Sequence, residues 1–496
     1  MTRKLSRRGV LGGMAATAVI GWSATQGWAT AGEAVDAGPL AAIPPLDGTL
    51  ETTPEQVAPY GEDFGKLKSG APWAVLKPGS VQDIVKMVNY CRENKLKIAM
   101  NGRSGTGNDI ESHSCYGQAE VPGGVSIDAR GLSKIVSIDS QSACVEAGVT
   151  WAQLTRATAD KGKTPPALTD YLHLSVGGTL SLGGIGGTVQ RYGLQTDNVL
   201  SVDVVTGTGQ LVTATPSSPP GLFDAVLGGG GQCGIIVRAR LKLIPAPARA
   251  TVFSLYYKDL TTYLADSEKV MADGRFSAQA GELLRTADNT AWQYKLEAAA
   301  YYSGTTPPDR AKLLAGLRDD RPAATIEDGT FLDYMFRLDA YEVYLKEQGF
   351  WDQPKPWLSL FLPASKTKEF MQLVESQLTP ETLGGGFLLF YPYPISKVRR
   401  PLTVQPGGQI GYLFDQLNFP SPGTGKPEID KMLEQNRRLY DKAVALGAKR
   451  YLVGAIPNMT QADWKRHFGS RWDAFAAAKK RYDPANILTP GQGFFA

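Results

Sequence analysis

The sequence predicts an α+β protein of two domains, and three observations point that way. Stretches with apolar residues at helical spacing are interleaved with stretches that alternate every second residue. The texture changes after the prolines at 245 and 247, and the closing run YDPANILTPGQGFF is irregular yet too apolar to stand in water. A first domain is expected over 56–248, a second over 249–450, and a return of the chain to the first over 451–496. With 496 residues, 43% hydrophobic and 20% charged, there is material for such cores, and disorder or a fibrous fold is excluded.

Residues 1–31 read as an export signal. Arg3, Lys4, Arg7 and Arg8, with no acid among them, precede an apolar Gly/Ala-rich run and then small residues near Ala29. Arg7-Arg8 followed by Val10-Leu11 resembles a twin-arginine signal, which implies export of an already folded chain to the periplasm, the cell envelope or the medium. A cell needs that route when a cofactor is inserted before export. These four residues also hold the entire net charge of +4, so the remaining body is formally neutral and without a basic stripe. That argues against nucleic acid or an anionic membrane as partner, and no integral membrane segment is expected after signal cleavage. Residues 32–55 lack periodicity and read as a linker.

Ser80 opens a capped amphipathic helix with Val81, Ile84, Val85, Val88 and Cys91 on its apolar face and Asp83 three residues after the cap. Strands follow near 97–100, 125–128 and 134–139, then two around the Gly207-Thr208-Gly209 turn, a short helix at 222–226 and a strand over 234–243. In the second domain, helical periods near 260–271, 311–317, 366–378 and 429–446 alternate with apolar strands at 292–302, 358–362 and 387–391.

The four cysteines, Cys91, Cys115, Cys144 and Cys233, form no CxxC and no Cys/His spacing, and no disulfide is assigned among them. His113, His173 and His467 are too few and too scattered for a His-based centre, so no metal is expected. Three glycine-rich segments stand out: N101-G-R-S-G-T-G107, G177-G-T-L-S-L-G-G-I-G-G187 and G228-G-G-G-Q-C-G234. None is a Walker loop or a well-placed GxGxxG, so a P-loop hydrolase is excluded and a Rossmann site is a weak reading. Three loops converging on one pyrophosphate is the better fit, because glycine lets backbone N–H groups approach phosphate closely.

The stretches T169-D-Y-L-H-L-S-V-G-G-T-L-S-L-G-G-I-G-G187, L222-F-D-A-V-L-G-G-G-G-Q-C-G and F350-W-D-Q-P-K-P-W-L, with the YDPANILTPGQ tail, resemble the cytokinin dehydrogenases, FAD enzymes of the vanillyl-alcohol-oxidase and berberine-bridge superfamily. The resemblance covers nearly the whole mature chain. It implies a two-domain FAD-linked oxidase fold, with a split FAD-binding domain of the PCMH type and an inserted substrate domain whose antiparallel sheet is covered by helices. It also implies an exported enzyme that oxidises a C–N bond of a small amine by hydride transfer to flavin. An N6-substituted adenine would give adenine and an aldehyde, with oxygen or a quinone as final acceptor. An alcohol, sugar or secondary metabolite as substrate is the second reading, and a non-catalytic exported binding protein is the third.

Residue by residue, His113 in H-S-C-Y-G-Q-A matches the histidine that carries the flavin covalently; a second alignment puts Gly105 there and leaves the flavin non-covalent. Asp170 matches the base that takes a proton from the substrate amine and faces the flavin. Asn101, Gly102, Arg103, Ser104, Ser114 and Gln118 are expected around the cofactor, as are Thr179, Gly183, Gly186, Ile236, Tyr451 and Gln492. Leu452 and Val398 are expected in the substrate pocket, Val398 where the family carries a tryptophan. The chain also departs from the family where F276-S-A-Q-A-G281 replaces a Phe-Asp-Tyr-Val-Glu-Gly segment, so an acid of the pocket is missing at its usual place.

Overall fold

The computed structural model describes residues 19–23, 27–30, 42–107, 112–217, 221–286 and 291–495. The paired arginines of the expected export signal lie outside them. Val19–Ser23 and Gly27–Thr30 pair as an antiparallel hairpin within the segment read as that signal. No helix among the described residues is long and apolar enough to cross a membrane.

Two larger sheets, one of four strands and one of five, organise the N-terminal half. In the first, Ala74–Lys77 and Ile98–Asn101 both run parallel to Val125–Asp128, and Thr49–Glu51 closes the edge antiparallel. Helix Val81–Glu93 buries Ile84, Met87, Val88 and Cys91 against this sheet, as its apolar period requires. Its start differs from the expected cap: no side chain caps the helix at Ser80. Asp83 instead accepts from the backbone N–H groups of Asp47, Gly48 and Gly79, which ties down the entering chain. The second sheet is five-stranded and antiparallel, in the order Leu211–Ala214, Val199–Val205, Ile235–Lys242, Ser142–Glu146, Ile135–Ile138.

The second half is built on an antiparallel sheet of eight strands. Their order is Thr325–Thr330, Arg249–Tyr257, Trp292–Tyr302, Ala278–Arg285, Phe387–Pro394, Ile410–Leu417, Leu358–Pro363, Lys449–Arg450. Side chains alternate across a strand, so each strand presents one set to each face. Tyr263 of helix Leu260–Asp273 packs on Phe390 and Tyr294, and Phe370 of helix Ala364–Glu375 packs on Phe414, so these helices cover one face. The opposite face carries Ala280, Glu282, Lys295, Glu297, Leu389, Leu413 and Asp415 and looks into a cavity.

The chain then returns. Ile98 donates to the carbonyl of Ile487 and receives from the N–H of Thr489, Gln232 donates to the carbonyl of Thr489 at 2.7 Å, and Phe494 packs on Trp464 with ring centroids 4.2 Å apart. The apolar tail thus fills a seam beside both glycine loop 228–234 and strand Ile98–Asn101. All four cysteines are free, so no bridge constrains the fold.

Candidate active site

The three glycine segments meet. Gly102 from the first, Gly177 and Gly178 from the second, and Gly230, Gly231 and Gly234 from the third line one cleft, together with Arg103, Thr179, Ile236 and Thr489. Gly230 and Gly231 adopt φ of 61° and 72°, a region that favours glycine, and a Cβ on Gly231 would lie 2.7 Å from Thr489 Oγ1. No carboxylate is among the residues lining this cleft, and Arg103 is their one formal cation. A glycine-floored slot with Ser and Thr hydroxyls, one guanidinium and no acid suits a diphosphate-bearing cofactor.

At its inner end the cleft opens toward a second cavity of about 420 Å³, and His113, Thr169, Leu174, Tyr451 and Val453 line both. His113 stacks on Phe64, with centroids 4.1 Å apart, and its Nδ1 shares a hydrogen bond of 2.9 Å with Ser104 Oγ. Burial, with the nearby Lys355 ammonium, drives its imidazole down to about 3, so the ring is neutral at ordinary pH. The backbone N–H groups of Gly184 and Ile185 reach the Tyr451 hydroxyl, which burial and the Asp415 charge push up.

The second cavity is aromatic and acidic. Phe64, Tyr171, Trp351, Trp357, Tyr391 and Phe419 form its walls, while five carboxylates, Asp170, Glu282, Glu297, Glu342 and Asp415, face two cations, Lys295 and Arg337. Asp170 follows Thr169 in the loop before helix Val176–Leu180 and accepts from Arg337 Nη2 at 2.7 Å. Arg337 Nε lies 3.0 Å from Glu297, and Lys295 lies 3.1 Å from Glu297 and 3.5 Å from Glu282. Burial opposes ionisation of Glu297, but Arg337 and Lys295 together hold it below its ordinary value. Glu342 accepts from Thr106 N at 2.8 Å and from the Tyr171 hydroxyl at 2.5 Å, fastening the first glycine segment to helix Asp339–Glu347.

Several expected site residues act one step behind the cavity walls. Asn101 Oδ1 accepts from Ser112 N, and Ser114, which borders the cleft, donates to the buried Asp63. Gly183 and Gly186 line neither cavity; a Cβ on Gly186 would sit 2.0 Å from the Leu168 carbonyl, so this glycine permits the close approach that aims the 169–170 loop. Gly105, the alternative to His113, has a φ of 80° and also lines neither. Gln118 borders the cleft, but its amide donates to the carbonyls of Leu452 and Val453, and Gln492 donates to the Leu452 carbonyl without reaching either cavity. Thr179 Oγ1 accepts from the Trp151 indole at 2.7 Å.

Two expectations are corrected. Leu452 is buried in the main apolar core and does not line the substrate cavity; Tyr451 and Val453, on either side, do. Val398 packs against a cluster containing Ile185, Val189 and Tyr393, because the turn after Phe387–Pro394 carries it outside the cavity. The acid missing from 276–281 has a counterpart: Ala280 lines the cavity and is paired across strands with Glu297. Arg337, Glu297, Lys295 and Asp415 had no sequence motif to announce them.

Comparison with family models and known proteins places the chain in a family. Residues 264–495 match the family described as "Cytokinin dehydrogenase 1, FAD and cytokinin binding", and residues 72–215 match "FAD binding domain". An uncharacterised oxidoreductase of the fasciation locus of Rhodococcoides fascians is 36% identical over 90% of this chain and 99% of its own. The chain belongs to the cytokinin dehydrogenase family. Cytokinin dehydrogenase 2 of Arabidopsis thaliana is 33% identical over 91% of this chain and 94% of its own, and cytokinin dehydrogenase 1 of rice, Oryza sativa subsp. japonica, 33% over 92% and 95%. The protein is therefore an FAD-dependent oxidoreductase with a two-domain α+β fold. The acid-free glycine cleft fits the cofactor's diphosphate, and the end shared with the aromatic cavity fits its reactive ring system.

Proposed function

We propose that this enzyme oxidises the C–N bond of a small aromatic amine, an N6-substituted adenine foremost, to the parent amine and an aldehyde. The observation that carries the reading is the position of Asp170: its carboxylate lines an aromatic cavity that meets the FAD cleft at His113 and Tyr451. Aromatic walls select a flat ring, and the excess of carboxylates over cations selects N–H groups over acidic or phosphorylated compounds.

Bound FAD supplies the acceptor of an electron pair. Asp170 accepts the N–H proton of the secondary amine as the neighbouring C–H loses its hydride, leaving a C=N bond. Arg337, 2.7 Å away, orients the Asp170 carboxylate for that transfer, and Phe64, Trp351 and Trp357 exclude water from the reacting nitrogen. Hydrolysis of the imine consumes one water and releases amine and aldehyde, and oxygen or a quinone removes the electron pair afterwards. Attachment of the flavin through His113 belongs to the same reading. The imidazole is neutral, Nδ1 is engaged by Ser104, and Nε2 has no hydrogen-bond partner among the described residues. Export through the twin-arginine route, signalled by Arg7-Arg8, completes it.

Product analysis tests this reading. Incubation of the flavin-loaded protein with an N6-alkenyl adenine and a quinone dye is expected to give adenine and aldehyde in equal amounts. Oxidation of alcohols or sugars instead, with the adenine untouched, overturns the substrate assignment.

A further inference from the structure

Among the described residues, Asp415 is the one cavity-lining carboxylate with no cation bonded to it. It sits on strand Ile410–Leu417, opposite Ser359 on one side and Leu389 on the other, and is 8% exposed. Oδ1 accepts from the Ser359 hydroxyl, while Oδ2 has no hydrogen-bond partner among the described residues. By contrast, Asp170 and Glu297 share Arg337, Glu282 leans on Lys295, and Glu342 holds Lys346 at 2.8 Å. A buried acid left half-bonded toward a cavity is costly unless a ligand completes it.

We propose that Asp415 is the specificity-determining residue of the substrate cavity, taking a hydrogen bond from a ring N–H of the heterocycle while Asp170 takes the exocyclic amine N–H. The inference rests on the functional reading above and adds to it a substrate class: heterocycles with a free ring N–H, not their N-alkyl or N-glycosyl derivatives. The two acids sense each other. Burial pushes Asp415 up to about 7, and the Asp170 charge contributes to that rise. A ligand that donates to both relieves this repulsion, whereas a ring nitrogen carrying a methyl group or a sugar leaves Asp415 unpaired.

The deciding experiment compares adenine with 9-methyladenine by titration calorimetry on the flavin-loaded protein, alongside turnover of an N6-alkenyl adenine. At pH 8, where Asp415 is ionised, wild type is expected to bind adenine about 10- to 100-fold more tightly, the range for one buried hydrogen bond to a charged group. Asp415→Leu brings the ratio to about one. The isosteric Asp415→Asn, which keeps the volume but not the charge, lowers it several-fold, so that a purely steric preference is distinguished. A ratio unchanged in either variant overturns the proposal even if the N6-alkenyl adenine is oxidised. An Asp415-dependent ratio with no oxidation upholds it and overturns the proposed reaction, and failure of wild type to bind either compound overturns both.

Discussion

Arg337 donates from Nη2 to Asp170 Oδ1 at 2.7 Å, joining two residues 167 positions apart in the chain. The same guanidinium reaches Glu297 through Nε at 3.0 Å, so one side chain from the segment between helices Phe331–Met335 and Asp339–Glu347 organises two acids of the cavity. Removing it leaves Asp170 without its cation and Glu297 with Lys295 alone. Arg337→Ala is expected to cost on the order of 3 kcal/mol of stability and to reduce kcat/KM more than tenfold, as read by thermal unfolding and steady-state kinetics. Unchanged values of both would refute a role for this pair.

Asp170→Asn keeps the volume and a hydrogen-bonding oxygen but removes the proton acceptor. The expected result is a fall in kcat of about 10²–10⁴-fold with a dissociation constant for adenine within a few-fold of wild type, measured by rapid-mixing reduction of the flavin and by calorimetry. A variant retaining most of its kcat would assign the base elsewhere.

Acid precipitation followed by denaturing electrophoresis addresses His113. Flavin fluorescence is expected to stay with the wild-type band and to be lost from His113→Ala, which still takes up FAD non-covalently through its glycine cleft. Fluorescence lost from the wild-type band itself would favour the non-covalent alignment.

Stability should titrate with Asp415. Its folded value is about 7 against an ordinary 3.8, so between those values the folded protein holds a proton that the unfolded chain releases. The contribution is complete at acid pH and is lost as the pH rises through 7. Relative to wild type, Asp415→Asn is therefore expected to gain about 2–4 °C or more in Tm on going from pH 5 to pH 8, the change that 1 kcal/mol produces in a domain of this order of size. His113 shifts in the opposite sense but is common to both proteins and cancels. A Tm difference independent of pH would contradict the assignment.

Gly231→Ala probes the cleft. Its positive φ and the 2.7 Å approach of the added Cβ to Thr489 Oγ1 both oppose the methyl group. Flavin bound per protein, read by visible absorbance, is expected to drop several-fold, whereas Gly274→Ala, with open space around its Cβ, shares the backbone penalty but keeps full flavin content.

How much of this was legible follows from the kind of signal each residue carries. Glycine clusters, amphipathic helices and the strand at 125–128 announce themselves locally, and all three glycine loops do meet in one cleft, whereas the Ser80 cap does not form. The stretches AQAGELLR and IGYLFDQL place Glu282 and Asp415 in strands whose acids face an internal cavity, a pattern that looks like a solvated sheet face. Arg337 belongs to no periodic segment at all. Leu452 and Gln492 do neighbour the site, but their roles differ from those the motifs suggest, since the glutamine holds the leucine carbonyl while the adjacent Tyr451 and Val453 form the wall.

Thr489 lines the same cleft as Gly102, although the whole second domain and most of the first lie between them in the chain, and Gln492 steadies the turn that presents Tyr451. The cofactor's seat is thus unfinished until the returning segment is made: before Thr489 has left the ribosome's exit tunnel, one wall is missing. Stable loading of FAD must then wait for the second domain and the returning segment, which makes that segment a checkpoint for maturation and makes truncation ahead of Thr489 a route to flavin-free protein.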